Sequence, residues 1–247
     1  LWPYFERLRK EAPAHYLADS EYGPFWSITR FGDIKSVDQN HDIFSSEGGI
    51  TIRDPEEDFN LPMFIAMDPP KHDDQRKVVS PVVAPMNLKE LESTIRSRAG
   101  AIFDQLPRGE TFNWVDKVSV ELTTQMLATL FDFPFDERRR LTRWSDVATA
   151  DENSGIIESR EHRRQELREC LEFFTGLWNE RANEEPKSDL ISMLVHGQST
   201  RDMDPMEYLG NLILLIVGGN DTTRNSISGG VLALNQFPDE FRKLRRD

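Results

Sequence analysis

The residues best suited to chemistry in this 247-residue chain form the segment Gly218-Gly219-Asn220-Asp221-Thr222-Thr223. The segment lies in an apolar stretch, where each glycine costs a helix interior roughly 1 kcal/mol relative to alanine. Glycines admit a ligand to the backbone, Thr222 can hydrogen-bond the carbonyl of Gly218, and Asp221 adds a proton donor. These residue types would allow a functional break in a helix, although on their own they favour a structural role. That role is a structural kink beside a solvated aspartate, and the residues alone leave both interpretations open.

A long helix must position this segment. Asp204 and Pro205 supply an acidic N-cap and a proline at the first helical position. Pro238 ends the helix, because the residue before a proline is driven out of the helical region. The predicted helix covers residues 205–236, about 48 Å at about 1.5 Å per residue, with a break at 218–223. Its apolar part is shorter than the roughly 20 residues that a membrane span needs.

A second candidate site is formed by His72 and Arg76, four residues apart and therefore on one face of a predicted helix that Asp68 begins. A histidine and an arginine near a helix N-terminus predict an anion site, which the helix dipole assists. These residues on their own favour the other interpretation, a solvated helix start in which Asp73 and Asp74 neutralise both cations. A metal site is less favoured, since adjacent residues on a helix point apart.

The rest of the sequence predicts a mainly α-helical fold with a small β-hairpin region. The hairpin strands are Ala14–Ala18 and Phe25–Arg30, and residues 45–66 have the composition of a loop. Cys170 has the spacing of a core residue, which predicts a buried and inert thiol. Apolar periodicity and capping residues predict further helices at residues 3–12, 33–44 (capped by Asp33), 68–80, 87–106, 114–131, 136–149, 158–183 and after Pro238.

The chain carries 30 basic and 43 acidic residues, a net charge of −13. This balance argues against a nucleic-acid partner and against binding to an anionic membrane surface. A single cysteine excludes an internal disulfide and suits a reducing compartment. With no targeting segment visible, we expect a cytoplasmic protein without a membrane span. The chain begins at Leu1 and ends in charged residues without a cap, so we expect it to be part of a longer protein.

Taken together and in order, two motifs identify a family. They are Met67-Asp68-Pro69-Pro70-Lys71-His72-x-x-x-Arg76 and, about 140 residues later, Gly218-Gly219-x-Asp221-Thr222-Thr223. The pair resembles the haem-thiolate monooxygenases, the cytochromes P-450, and the resemblance covers the whole chain. It implies one partial cytochrome P-450 domain over residues 1–247, from the N-terminus through the long helix on the distal side of the haem.

The resemblance also implies roles for residues that match the family's positions. His72 and Arg76 correspond to residues that pair with the haem propionates. Gly218 and Gly219 correspond to the place where the long helix opens to admit dioxygen. Asp221 and Thr222 correspond to the acid–alcohol pair that delivers protons during oxygen activation. The implied substrate pocket uses a loop at about residues 48–67 and one turn of the long helix, with the lining residues Phe64, Ile65, Met67, Leu214 and Val217.

The implied cofactor is heme b, iron protoporphyrin IX. Electrons would come from NAD(P)H through ferredoxin reductase and a ferredoxin. The two motifs look most like the soluble bacterial branch that hydroxylates alkanes and fatty acids at the terminal carbon. An apolar pocket suits such substrates, because each buried CH₂ group contributes ~0.8 kcal/mol.

The chain departs from the family pattern in one respect. The family's iron ligand is a cysteine in a loop rich in phenylalanine and glycine, preceded by a Glu-x-x-Arg helix, and neither occurs here. Cys170 has no such loop, so we assign no metal ligand. Without a thiolate the iron lacks its proximal ligand, and we predict that this chain alone does not turn over. A thiolate-type absorption spectrum of its reduced, CO-bound form would contradict this prediction.

A second hypothesis comes from another class of protein. The chain would be a non-catalytic, α-rich binding module that uses the interrupted helix as one wall of an apolar pocket. Coding sequence downstream discriminates the two, since a Glu-x-x-Arg helix and a cysteine loop would favour the enzyme.

Overall fold

The structure is a computed structural model that describes residues 1–52 and 59–246. The chain forms two compact units, Leu1–Gln75 and Arg76–Asp247. The first unit contains a β-hairpin and short helices. The second unit consists of packed helices and carries the long helix with the candidate segment.

The first unit begins with helix α1 (Trp2–Glu11) and an antiparallel hairpin of β1 (Ala14–Leu17) and β2 (Phe25–Ile28). The turn between the strands uses Gly23, whose φ of +78° suits a residue without a Cβ. These elements lie where the sequence predicts them. The hairpin is therefore confirmed, with strands one and two residues shorter than expected.

Helix α2 (Phe31–Asp38) starts earlier and ends earlier than predicted. Its N-cap is Arg30, in an extended conformation and without a side-chain cap hydrogen bond. The predicted cap at Asp33 is wrong, because this residue lies inside the first turn. There its carboxylate faces the positive end of the helix dipole without accepting the capping bond.

Helix α3 (Lys71–Val79) leads from the first unit into the second. It stops at Ser80-Pro81, as predicted, where a short 3₁₀ turn follows. The second unit then contains, in chain order, α4 (Pro85–Asp104), a π-helical turn (Val115–Val120), α5 (Glu121–Phe131), α6 (Arg139–Thr149), α7 (Arg160–Arg181), α8 (Leu190–His196), α9 (Pro205–Gln236) and α10 (Pro238–Leu244).

The core of the second unit lies where α5, α6 and α7 pack around the N-terminal half of α9. Trp144, Phe131 and Phe174 are almost fully buried, and the rings of Phe131 and Phe174 meet edge to face with centroids 5.7 Å apart. Aromatic pairs of this geometry add about 0.5–1.5 kcal/mol beyond the burial of their area. Cys170 is fully buried here, and this burial raises the pKa of its thiol. The predicted inert core cysteine is confirmed.

Helix α9 has the predicted bounds, and its N-cap Asp204 accepts a hydrogen bond from the Met206 amide at 2.8 Å. The predicted break at Gly218–Thr223 is wrong, since the backbone remains α-helical throughout. No helix in the described part of the chain is both long and apolar enough to cross a membrane.

Two features of the second unit were not predicted. Helix α8 follows the polar stretch at residues 183–189 and is capped by Asp189, which accepts from the Ser192 amide at 2.8 Å. The helix expected at 114–131 begins instead with the π-helical turn Val115–Val120. Such turns occur as short insertions in α-helices and cannot be recognised from apolar periodicity.

Candidate functional site

Helix α9 presents two chemically different faces at the candidate segment. Ile213, Ile216 and Asn220 are buried on the side that packs on the core. Leu214, Gly218 and Thr222 follow one another at four-residue spacing, half-buried or exposed, so they share a face. Val217 and Asp221, both half-buried, flank this row. The structure therefore brings together on one open face five of the predicted site residues.

The two adjacent glycines have different surroundings. A Cβ at Gly219 would lie 2.7 Å from Cδ2 of Leu127 on α5, a distance that real side chains do not tolerate. A Cβ at Gly218 would meet nothing within 4 Å. Gly219 therefore lets α9 approach α5 closely, whereas Gly218 leaves backbone accessible on the open face. The space beside Gly218 is the feature that a bound ligand requires.

Thr222 makes the hydrogen bond that the sequence predicts. Its Oγ1 donates to the carbonyl oxygen of Gly218 at 2.8 Å. Ser226 repeats the pattern one turn later by donating to the carbonyl of Thr222 at 2.7 Å. Such hydrogen bonds fix the side-chain rotamer and slightly weaken the backbone hydrogen bonds of the helix without ending it. The lone pairs of the Thr222 hydroxyl stay available to accept a proton from a neighbour.

Asp221 is not the solvated aspartate that one interpretation of the sequence allowed. Nη2 of Arg224 donates to its Oδ1 at 2.5 Å, and Nη1 of the same guanidinium donates to Oδ1 of Asp146 on α6 at 3.0 Å. The three side chains are only partly exposed, at 24%, 17% and 32% respectively. Sequence reasoning missed Arg224, although its position three residues after Asp221 on a helix was a usable signal.

Buried hydrogen bonds fix the rotation of α9 about its own axis. The Thr123 hydroxyl donates to Oδ1 of Asn220 at 3.2 Å, and the Ser228 hydroxyl donates to that of Ser119 at 2.8 Å. Asn220 and Ser119 are fully buried. Breaking such a bond leaves an unsatisfied polar group, which costs about 1–3 kcal/mol. These contacts therefore fix which residues of α9 face the core and which face outward.

The second predicted site begins α3. Nδ1 of His72 lies 2.7 Å from the carbonyl oxygen of Phe64. A carbonyl oxygen only accepts, so Nδ1 carries the proton in this hydrogen bond. The ring can then donate from Nε2 to an anion when it is the imidazolium. Phe64 also meets the His72 ring edge to face at 6.2 Å, so the 3₁₀ turn Phe64–Ala66 fixes the orientation of the imidazole.

Arg76, four residues after His72, is exposed. Asp73 and Asp74 lie in the first turn of α3, whereas Arg76 lies in its last turn. The prediction that Arg76 lies near the helix N-terminus is therefore wrong, and the positive end of the helix dipole does not assist an anion at this position.

Asp68 does not cap α3, so this part of the prediction is wrong. Its carboxylate instead accepts hydrogen bonds from the Ser45 hydroxyl at 2.5 Å and the Ser46 amide at 2.9 Å. The bond from Ser45, with that from Ser46, holds the pKa of Asp68 below its ordinary value. Asp68 thus ties the loop before α3 to the 45–46 segment, because both donors prefer the charged carboxylate.

The predicted substrate loop, about residues 48–67, is described except for residues 53–58. Phe64 is buried, Ile65 is 41% exposed and Met67 is half-buried. Their role as lining stays a prediction. The same holds for Leu214 and Val217 of α9, which are half-buried on the open face.

The residues present fit a haem group in part. The guanidinium of Arg76 is a group that binds carboxylates such as propionates, and the backbone at Gly218 has open space beside it. The thiol of Cys170 does not fit the proximal ligand, because it is fully buried in the core and burial raises its pKa. We therefore assign no iron ligand among the described residues.

Known proteins are similar to this chain in sequence. Linalool 8-monooxygenase from Pseudomonas putida is 33% identical over 256 residues, matching 98% of this chain and 62% of its own length. A methyl-branched lipid omega-hydroxylase from Mycobacterium bovis is 28% identical over 248 residues, matching 96% of this chain and 58% of its own length. No protein-family model matches the chain.

Among solved structures, CYP153D17 from Sphingomonas sp. PAMC 26605 superposes with a TM-score of 0.90 at 47% identity. The superposition covers 100% of this chain and 63% of that structure. The fold is thus that of the cytochrome P450 class. The chain belongs to the cytochrome P450 family. It spans less than two thirds of the length of the relatives that it matches.

Proposed function

We propose that this chain supplies the distal side of a haem-dependent monooxygenase, which inserts one atom of dioxygen into a C–H bond of an apolar substrate. The observation that carries the proposal is the open face of α9. There the accessible backbone of Gly218, the Asp221 carboxylate and the Thr222 hydroxyl all lie between residues 218 and 222 of α9. An acid and an alcohol beside a ligand space are the groups that proton delivery needs.

The proposed cofactor is heme b, which when bound supplies the chemistry of oxygen activation. His72 and Arg76 would hold its propionates through the imidazole and the guanidinium on α3. Gly218 would allow the oxygen ligand to approach the backbone of α9, because no side chain covers that position. Gly219 would act indirectly, by permitting the close packing on Leu127 that fixes the height of α9.

Asp221 and Thr222 would move protons in this site. Asp221 is 24% exposed, which allows it to exchange protons with solvent. Thr222 is its direct neighbour, and the bond to Gly218 holds the hydroxyl in one rotamer. A hydroxyl that donates to a carbonyl and accepts from elsewhere can pass a proton without carrying charge.

The proposed substrate is an alkane or a fatty acid, hydroxylated at its terminal carbon. The omega-hydroxylase named among the relatives supports the terminal position, and half-buried Leu214 and Val217 on the open face support an apolar ligand. Each CH₂ group buried would contribute ~0.8 kcal/mol to binding. Phe64, Ile65 and Met67 are proposed as further lining.

The proposed electron donors are a ferredoxin and its reductase, fed by NAD(P)H. The proposed location is the cytoplasm. Resemblance to soluble bacterial members of the family supports both.

The proposal is tested by Thr222→Ala in the holoenzyme, measured as product formed per dioxygen consumed. We expect this ratio to fall by about 10-fold or more, since positioned proton donors contribute about 10²–10⁴-fold. The matched control is Thr175→Ala on α7, which also loses a hydroxyl that donates to the carbonyl four residues back, at 2.7 Å. If both variants keep the native ratio, Thr222 does not deliver protons.

A further inference from the structure

One guanidinium is shared between two carboxylates on two helices. Arg224 and Asp221 lie three residues apart on α9, whereas Asp146 belongs to α6. Nη2 binds Asp221 at 2.5 Å and Nη1 binds Asp146 at 3.0 Å, both through Oδ1. The Arg224 side chain is only 17% exposed and largely withdrawn from solvent. Which carboxylate its guanidinium binds therefore affects the hydrogen bonding of both Asp221 and Asp146.

We propose that Arg224 is a positioning residue for the proton-delivering carboxylate, and that Asp146 sets how strongly it acts. Nη1 of Arg224 donates to Asp146, which leaves only Nη2 to donate to Asp221. The inference rests on the proposed function, because it concerns the acid of the same site. It extends that function by linking the acid to the position of α6.

The physical basis is competition for a forked donor. An arginine beside one carboxylate prefers to bind both oxygens in parallel. Here Asp221 accepts through Oδ1, and Oδ2 accepts no hydrogen bond from any described residue. That oxygen is therefore the one that a second hydrogen bond from Arg224 could reach. If Asp146 released Arg224, the second arm could close on Oδ2 and hold the carboxylate in its charged form.

Helix α6 is itself held from its other side, which gives Asp146 a fixed position. Arg143, one turn before Asp146, donates to Oε1 of Glu166 on α7 through Nη2 at 2.6 Å and Nε at 3.0 Å. Any displacement of α6 relative to α9 would therefore change the distance between Asp146 and Arg224. The hydrogen bonding of Asp221 would therefore depend on the packing of α6, a helix that carries neither Asp221 nor Thr222.

The experiment uses Asp146→Asn, Arg224→Gln and the double variant in the holoenzyme. Asp146→Asn weakens the competitor without removing its bulk. We expect coupled turnover to fall by about tenfold with KM unchanged, since one charge-assisted hydrogen bond corresponds to about that factor. The solvent deuterium isotope effect on coupled turnover should rise, which a purely structural role would not cause. In the Arg224→Gln background, Asp146→Asn should have no further effect.

A crystal structure of the Asp146→Asn holoenzyme supplies a readout that is independent of activity. We expect both arms of Arg224 on Asp221. The control is Arg96→Gln on α4, which breaks an exposed ion pair with Glu92 and should leave the isotope effect unchanged. The proposal is overturned if Asp146→Asn acts equally in both backgrounds, or if Arg224 keeps a single bond to Asp221 in the crystal.

Asp221→Asn separates failure of this inference from failure of the proposed function. If Asp221→Asn lowers coupled turnover while Asp146→Asn does not, Asp221 keeps its role and only the link through Arg224 is wrong. If Asp221→Asn itself leaves coupled turnover unchanged, the carboxylate delivers no protons. Both the proposed role and the inference built on it are then refuted.

Discussion

Replacing Gly218 and Gly219 by alanine, one at a time, should change the stability of the fold in different directions. Both positions lie in the middle of α9, and both substitutions gain the same helix propensity, roughly 1 kcal/mol. Their surroundings differ, because a methyl group at Gly218 meets no atom within 4 Å, whereas one at Gly219 meets Cδ2 of Leu127 at 2.7 Å.

The difference between the two variants isolates this contact. Leu127 is 2% exposed, so its side chain has little room to move away. Forcing an extra methyl group into a packed core costs typically 1–3 kcal/mol. Because the propensity gain cancels, Gly219→Ala should be less stable than Gly218→Ala by about 1–3 kcal/mol. Gly218→Ala should be more stable than the native chain by up to about 1 kcal/mol.

Urea denaturation of the two variants and the native protein measures this difference. The free energy of unfolding is obtained from the midpoint and slope of each transition, and equal slopes would show that only stability has changed. Two variants stabilised to the same extent would refute the argument. Leu127 would then yield to the methyl group, and Gly219 would not be required for the approach of α9 to α5.

Two further predictions concern titratable groups away from the open face. Asp68 has a lowered pKa, so it stabilises the fold above its ordinary pKa and loses this contribution as pH falls through the lowered value. In Asp68→Asn the free energy of unfolding should therefore fall less steeply as the pH is lowered than in the native protein. An unchanged dependence at acid pH would contradict the role of the Ser45 hydrogen bond. Cys170 should react with a thiol reagent only at the rate of unfolding, because it is fully buried with a raised pKa; rapid labelling of the native protein would contradict its burial.

Local signals in the sequence predict the bounds of α9 well. A capping aspartate, a proline at the first helical position and a proline after the end determine a helix whatever packs on it. The hairpin has equally local causes. Helix α8 escaped prediction because it has only seven residues, too few for apolar periodicity to be visible beside a polar stretch.

The prediction that α9 is interrupted is wrong because it depends on tertiary packing, which the residues of a single helix do not show. Glycines are costly in an isolated helix, but here Gly219 is matched by Leu127 on α5, and tertiary packing outweighs propensity. The hydroxyl of Thr222 bonds back to Gly218 as predicted, since that contact is local. Local reasoning thus identified the right residues and the wrong backbone conformation.

The ion-pair partners around Asp221 show the same limit of reasoning from local sequence. Arg224 follows Asp221 by three residues and could have been recognised from helical spacing. Asp146 lies 78 residues before Arg224 in sequence and approaches it only through the packing of α6 on α9. Asp68 shows the converse case, where a good local capping residue bonds instead to Ser45 and Ser46 in a loop more than 20 residues away.

The measurement that tests the central claim most directly compares Thr222→Ser with Thr222→Ala in the holoenzyme. Serine keeps the hydroxyl that donates to the Gly218 carbonyl, whereas alanine removes it. Product formed per dioxygen consumed should stay within about threefold of the native value for serine and fall by about tenfold or more for alanine. Equal ratios in the two variants would show that the hydroxyl of α9 carries no proton and would contradict the account.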